Sequence, residues 1–182
     1  MSEDAGMDGD GVDPTAFREA CGRFATGVCV ITSFGPSGPS GLTANAVASL
    51  SLRPPLMVVC FDLEARTLAA VRHSRRFAVH FLAHDQERIA ARFASKQPEE
   101  RKFEGVQWRE RSGAPAIEGC LGGTVCQLRE LVPGGDHLIG IGEVSDLWSR
   151  EGEPLLFFRG DYWALTGREP APPEVDEALE RR

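Results

Sequence analysis

Short apolar stretches separated by glycine, proline and polar residues dominate the pattern along this chain. Most stretches are too short for a buried helix, and several are rich in valine, isoleucine and phenylalanine, which favours β-strands. We predict strands over residues 27–34, 42–48, 56–61, 77–82, 119–131, 137–148 and 155–158. Residues 35–41 consist of glycine, proline and serine and predict a hairpin loop, and residues 132–135 are predicted to break the longest strand.

In three segments the apolar residues instead have the spacing of a helix. Asp13 and Pro14 are typical of an N-cap and a first helical position, so we predict a helix over residues 14–23. Further helices are predicted over residues 66–73 and 85–95, and a polar loop over residues 96–103. Many strands with only two or three peripheral helices favour a mainly β fold, a closed or split antiparallel barrel.

The ends of the chain differ in composition from its middle. Residues 1–12 are acidic and glycine-rich, and we predict a disordered tail because they have little apolar surface to offset the entropy of ordering. Residues 167–182 are rich in proline and glutamate and form a C-terminal tail, either loose or packed on a partner subunit. One domain is therefore expected over residues 13–166.

Charge and cysteine content narrow the functional classes. The net charge is −7 and basic residues are scattered, so we expect no nucleic-acid partner. The start lacks the features of a signal peptide, and no apolar run reaches the length of a membrane span. The five cysteines show no metal-ligand spacing; Cys29 and Cys60 lie in apolar runs and are interpreted as core residues. We expect no metal site and a reducing cytoplasmic location.

The segment from Gly41 to Phe61 combines small and polar residues with extended character. Thr43, Asn45, Ser49 and Ser51 lie close together in it, although a core strand has no need of them. Small side chains allow a backbone to lie against a polar aromatic ligand, while hydroxyl groups reach a sugar alcohol or a phosphate. The alternative is an edge strand whose polar side chains face water.

Several motifs, in this order, resemble the flavin reductase-like family, the FMN-binding split-barrel reductases, over residues 17–165. They are Ala25-Thr26-Gly27-Val28, Gly41-Leu42-Thr43-Ala44-Asn45-Ala46, Ser49-Leu50-Ser51-Leu52-Arg53-Pro54-Pro55-Leu56, Phe77-Ala78-Val79-His80-Phe81-Leu82, Lys102-Phe103-Glu104-Gly105-Val106, Gly135-Asp136-His137 and Arg159-Gly160-Asp161-Tyr162. The resemblance implies a split antiparallel Greek-key β-barrel, the FMN-binding split barrel.

The resemblance also implies a function. Such proteins transfer hydride from NADH or NADPH to FMN or FAD, often as the small component of a two-component monooxygenase, and we expect a homodimer. The chain contains no G-x-G-x-x-G fingerprint, so a nicotinamide would bind outside a Rossmann domain. The alternatives are a non-catalytic flavin-binding barrel and a flavin-dependent oxidoreductase that acts directly on a small molecule.

By resemblance, two segments hold the flavin ring and ribityl chain. Along the ring edge and ribityl chain we place Thr43, Ala44 and Asn45, followed by Ser49, Leu50, Ser51 and Leu52. His80 and Phe81 are further cofactor-binding candidates, with His80 expected to face the flavin side. The family more often has Asn at that position, and a satisfied barrel histidine is the alternative.

Other segments are expected to contact the flavin phosphate and the nicotinamide. Arg66 and Thr67 begin a predicted helix, whose free N–H groups suit a phosphate; Ala65 stands where the family usually has a Ser. By resemblance, the loop containing Ser95, Lys96 and Phe103 closes over the phosphate end. His137 is the candidate catalytic residue, facing the nicotinamide over the flavin. The alternatives are that Arg66 is a surface arginine, that the loop is a charged loop in solvent, and that His137 is a turn histidine in solvent.

Overall fold

The computed structural model describes residues 11–165, and its regular elements are mostly antiparallel strands. Except for Gly11 and Val12, the two predicted tails lie outside the described residues. The strands are β1 (Thr26–Gly27), β2 (Cys29–Gly35), β3 (Gly38–Ala44), β4 (Val47–Leu52), β5 (Pro55–Asp62), β6 (Arg76–Phe81), β7 (Trp108–Arg111), β8 (Ala114–Ile117), β9 (Gly122–Gly134), β10 (His137–Ser149), β11 (Leu155–Phe158) and β12 (Asp161–Ala164). The helices are α1 (Pro14–Cys21), α2 (Arg66–Ser74), α3 (Glu87–Ala94) and α4 (Glu99–Phe103), with a 3-10 turn at His84–Gln86.

Seven strands form one antiparallel sheet in the order β3-β2-β6-β9-β10-β5-β4. Its two edge strands, β3 and β4, are consecutive in the chain and are joined only by Asn45 and Ala46. Because neighbouring Cα atoms are 3.8 Å apart, Ala44 and Val47 are separated by no more than roughly 11 Å. The sheet must therefore curl until its edges approach each other, yet in the described residues no ladder pairs β3 with β4. The result is the predicted split barrel.

The barrel interior is filled by aromatic and branched side chains. Phe61 and Phe77 are completely buried and meet edge to face, with their ring centroids 6.0 Å apart. Two glycines of β10 make room for them: a Cβ atom at Gly140 would lie 2.6 Å from the ring of Phe61, and one at Gly142 would lie 2.4 Å from the ring of Phe77. A second cluster, which includes Phe93, packs α3 and α4 against the outside of the sheet.

Smaller sheets complete the domain. Strands β1, β11 and β12 form a three-stranded sheet, and β7 and β8 form a hairpin. Within residues 11–165, no helix combines the length and the apolar character that crossing a bilayer requires.

The structure corrects several predicted boundaries. The predicted strand 42–48 is interrupted at Asn45 and Ala46, and β3 already begins at Gly38, inside the predicted loop. The predicted polar loop 96–103 contains α4, because Lys102 and Phe103 are buried against the barrel. Strand β9 continues through Pro133 to Gly134, since a proline near the end of a ladder costs little pairing. Strands β7, β8 and β12 were not predicted, because each is short and lacks a clear alternation.

His80 belongs to the core. Its side chain is completely buried; its Nδ1–H donates to the carbonyl of Val30 at 2.9 Å, and its Nε2 accepts from the Ile117 N–H at 3.0 Å. The histidine thereby joins β2, β6 and β8, and no ring nitrogen remains for a ligand. The expectation that His80 faces the flavin side is therefore wrong, and the alternative of a satisfied barrel histidine holds. Burial lowers the pKa of His80 from its ordinary 6.5 to about 4.

This burial predicts a pH-dependent stability. Because the pKa of His80 is lower in the folded state than in the unfolded state, its stabilising effect is complete above about pH 6.5 and is lost as the pH falls toward about 4. The free energy of unfolding should drop by about 1.4 kcal/mol per pH unit inside this window. Urea titrations between pH 5 and 7 measure it. His80→Asn should remove this slope, whereas His73→Asn, at an exposed site, should retain it; an unchanged slope in His80→Asn contradicts the assignment.

Candidate functional site

One large cavity opens where the two edges of the barrel come together. Its volume is about 620 Å³, within the range of small-molecule sites. The link between β3 and β4, the end of β5, the start of α2, the end of α3 and the turn between β9 and β10 all contribute to it. We call it the first cavity; it is lined by Leu42, Thr43, Ala44, Asn45, Ala46, Cys60, Asp62, Glu64, Ala65, Arg66, Thr67, Phe93, Ala94, Ser95, Lys96, Lys102 and His137.

The wall of the first cavity consists of small residues at the barrel edge. Thr43 and Ala44 end β3, and Asn45 and Ala46 follow outside any strand. The carbonyl of Ala46 accepts a hydrogen bond from the Cys60 N–H at 3.0 Å, which anchors the link to β5. The Thr43 hydroxyl donates to the carbonyl of Ala90 at 2.6 Å and thereby holds α3 against the wall. Residues 43–46 of this edge line the cavity, and contact with a flat ligand there stays a prediction.

The start of α2 forms one end of the cavity. Ala65 occupies the N-cap position and has no side-chain acceptor for the first N–H groups of the helix. The Leu68 N–H donates to the Ala65 carbonyl at 3.0 Å, so the N–H groups of Arg66 and Thr67 and the positive end of the helix dipole are those that can receive an anionic ligand. The buried Thr67 hydroxyl lies 3.1 Å from the Ser40 hydroxyl, which fixes its position beside the helix start.

Cationic side chains surround the same end. Lys96 is exposed at the rim, and Lys102 is buried with its Nζ 2.9 Å from the carbonyl oxygen of Gly41. Arg66 donates to the backbone carbonyls of Lys96 and Gln97. The Ser95 hydroxyl donates to the Arg92 carbonyl at 2.7 Å and so closes the last turn of α3. This end can hold a phosphate group.

The turn between β9 and β10 brings a histidine to the same cavity, beside carboxylates. His137 lies at the start of β10, directly across the ladder from Asp62. Its Nδ1–H donates to the Asp136 carboxylate at 2.7 Å, and this contact holds the pKa of Asp136 below its usual range. Asp62 and Glu64 also line the cavity and lead directly into the start of α2, where the Ala65 N–H donates to the Asp62 carbonyl at 3.0 Å. The hydrogen bond to Asp136 orients the imidazole and leaves its Nε2 for a ligand.

A second cavity of about 510 Å³ adjoins the first on the other side of the link. Asn45 lines both cavities. The walls of the second cavity are more apolar and are lined by Phe24, Ala25, Thr26, Gly27, Cys29, Asn45, Val47, Ala48, Ser49, Met57 and Phe81.

The structure brings together most of the predicted site residues, although they come from distant parts of the chain. The first cavity collects Thr43, Ala44, Asn45, Arg66, Thr67, Ser95, Lys96 and His137. Ser49 and Phe81 line the second cavity instead. Leu50, Ser51 and Leu52 lie on β4 and line neither cavity; Leu52 is 88% exposed, and the Ser51 hydroxyl accepts from the Arg53 N–H.

The expectation that Phe103 contacts the cofactor directly is also corrected by the structure. It is buried beneath Phe93, with the two ring centroids 5.0 Å apart, and it is Phe93 that lines the cavity. Phe103 therefore supports the wall rather than forming it.

Sequence reasoning missed several lining residues. Cys60 was assigned to the core, but it is only partly buried and faces the first cavity with Asp62. The period-two alternation of β5, in which Met57, Val59 and Phe61 are buried, puts both on the opposite face and could have identified them. Lys102 could have been found from its spacing of three residues from Glu99, which is typical of a helical ion pair.

Comparisons with known proteins find relatives over most of the chain. Residues 21–166 match the family model described as flavin reductase like domain. The chain is 41% identical over 175 residues to the reductase subunit of a flavin-dependent monooxygenase from Rhodococcus jostii, covering 93% of this chain and 87% of that protein. It is 36% identical over 168 residues to an NADH-dependent flavin reductase from a Rhodococcus species, covering 91% and 94%.

A solved structure shows the same likeness. The NADH:FAD oxidoreductase from Streptomyces globisporus, in complex with NAD and FAD fragments, superimposes with a TM-score of 0.77 at 36% identity. The match covers 91% of this chain and 99% of that one.

Proposed function

The chain belongs to the flavin reductase-like domain family, and on that basis we propose that it reduces flavin with NADH and passes the reduced flavin to a monooxygenase component. It is an NAD(P)H:flavin oxidoreductase, like its relatives. The observation that carries the proposed site is the convergence of residues 43–46, 65–67, 95–96 and 137 on one cavity.

The residues of the first cavity fit a flavin. Small residues at 43–46 leave backbone groups along one wall, and cations and free helix N–H groups stand at one end. We infer that Thr43, Ala44 and Asn45 hold the ring edge and ribityl chain, and that α2, Ser95 and Lys96 receive the phosphate. When bound, the flavin accepts a hydride from the nicotinamide, and the two cofactors supply this chemistry themselves.

We propose that His137 positions the nicotinamide. The Asp136 carboxylate orients the imidazole, and His137 lines the first cavity. Hydride transfer requires no proton from the protein, so a side chain that fixes the geometry is sufficient. The relatives named for their electron donor use NADH, which supports NADH over NADPH as the donor here.

Oligomeric state and location are further proposals. We infer a homodimer, because β4 is an open sheet edge that carries the exposed Leu50 and Leu52, and because the apolar second cavity lies beside it. The apolar segment 155–158 largely packs within the chain and leaves little surface for a partner: Leu155 is buried and Phe157 meets Tyr162. All five cysteines are free thiols, which supports a cytoplasmic location.

Steady-state rates with the four pairings of NADH or NADPH and FMN or FAD test the proposed function. We expect turnover with NADH and flavin, and a lower kcat/KM with NADPH, because the relatives named for a donor use NADH. A purified protein that binds flavin but oxidises neither donor would indicate the non-catalytic barrel instead.

The variant His137→Ala should weaken the nicotinamide step and spare flavin binding. Loss of one positioning hydrogen bond predicts a fall of roughly tenfold in kcat/KM for NADH, with a nearly normal Kd for flavin. Stopped-flow reduction of the flavin-loaded protein measures it, with His84→Ala at an exposed site as the control. If the variant shows the wild-type rate and NADH dependence, His137 belongs to the turn and not to the site.

Light scattering at micromolar concentration tests the homodimer. We expect a mass of two chains for the wild type and of one chain for Leu50→Lys/Leu52→Lys, because two charges on an apolar edge oppose its burial. Leu63→Lys, another exposed leucine, should remain dimeric. A monomeric wild type would overturn the proposal.

A further inference from the structure

The open edge of β3 is closed by side chains of α4 rather than by a strand. In the described residues β3 pairs only with β2, so its other edge has N–H and C=O groups without a strand partner. At Gly41 both groups are satisfied: the N–H donates to Glu99 Oε2 at 2.8 Å, and the carbonyl accepts from Lys102 Nζ at 2.9 Å. A Cβ atom at this position would lie 2.5 Å from the Phe93 ring, so only glycine fits beneath α3.

The second carboxylate oxygen of Glu99 lies between two cations. Oε1 is 3.1 Å from Arg66 Nε and 3.2 Å from Lys102 Nζ. It is buried and makes no aligned hydrogen bond, so it acts through charge. The side chain of Lys102 is only 6% exposed and depends on this carboxylate for neutralisation.

Arg66 extends this contact to the rim of the first cavity. While Nε pairs with Glu99, Nη2 donates to the carbonyls of Lys96 and Gln97. The guanidinium therefore fastens the loop that follows α3, and this loop carries Ser95 and Lys96 into the cavity. A continuous path of contacts runs from Gly41 through Glu99 and Arg66 to the proposed phosphate end.

We propose that Glu99 is a positioning residue for flavin phosphate: it holds Arg66 so that Ser95, Lys96 and the start of α2 keep the geometry that receives the anion. This inference rests on the proposed function. The positioning role can be distinguished from a direct electrostatic effect of Glu99 on the ligand, because a carboxylate beside a phosphate site repels the ligand. Removing that charge should tighten FMN binding if Coulomb repulsion dominates, and should weaken it if positioning dominates.

The test compares FMN with riboflavin, which has the same ring and ribityl chain but no phosphate. Kd values come from flavin fluorescence titrations of the wild type, Glu99→Gln and Glu100→Gln; Glu100 is the exposed neighbour with the same charge. We expect Glu99→Gln to raise the Kd for FMN about tenfold, because the ion pair that holds Arg66 is lost. The Kd for riboflavin should stay unchanged, and Glu100→Gln should behave as the wild type.

Other outcomes overturn the inference. Unchanged or tighter FMN binding in Glu99→Gln removes the positioning role, and so does an equal loss for FMN and riboflavin, which would indicate general damage to the cavity. If the wild type binds neither flavin, the proposed function fails, and not this inference alone.

A second pair of variants covers the case in which Glu99→Gln does not fold because Lys102 is left buried and unpaired. Lys102→Met removes that cation, so Glu99→Gln/Lys102→Met is compared with Lys102→Met alone. The double variant should again bind FMN about tenfold more weakly and riboflavin equally well. Adding Arg66→Lys to the double variant should weaken FMN binding only a little further if Glu99 acts through Arg66. If the effects of Arg66→Lys and Glu99→Gln on FMN binding add fully, Glu99 does not act through Arg66.

Discussion

A two-residue link between the edges of a seven-stranded sheet determines the shape of this protein. Asn45 and Ala46 are too few to cross an open sheet of this width, so the sheet must curl until β3 and β4 nearly meet. The link ends the pairing as well as the strands, and a cleft remains where a closed barrel would have a ladder. Both large cavities lie at this cleft, and Asn45 lines each of them.

The first cavity combines cations with carboxylates. Arg66, Lys96 and Lys102 line it near the start of α2, and Asp62 and Glu64 lead from β5 into the same helix, with His137 across the ladder from Asp62. We expect the cations and the helix start to hold the flavin phosphate, and His137 to meet the nicotinamide. The protein therefore contributes orientation and electrostatics, and the cofactors contribute the electron transfer.

The sequence predicts the fold class and most of the site, but not the roles that depend on packing. Thr43, Arg66, Lys96 and His137 converge as expected, because short motifs at element ends carry them. His80 shares its strand with the candidate Phe81, yet only the three-dimensional register shows that Val30 of β2 and Ile117 of β8 together use both its ring nitrogens. Likewise α4 is too short for a periodic signal, and its role appears only when Glu99 meets Gly41 across 58 residues of sequence.

The central claim, that flavin binds where the barrel edges separate, is tested most directly by amide hydrogen exchange with and without saturating FMN. Backbone N–H groups at residues 43–46, 66–68 and 95–97 should exchange more slowly when FMN is present, because they line or adjoin the first cavity. Residues 24–27, which line only the second cavity, should change little. Protection confined to residues 24–27, or no protection at residues 43–46, would contradict this account.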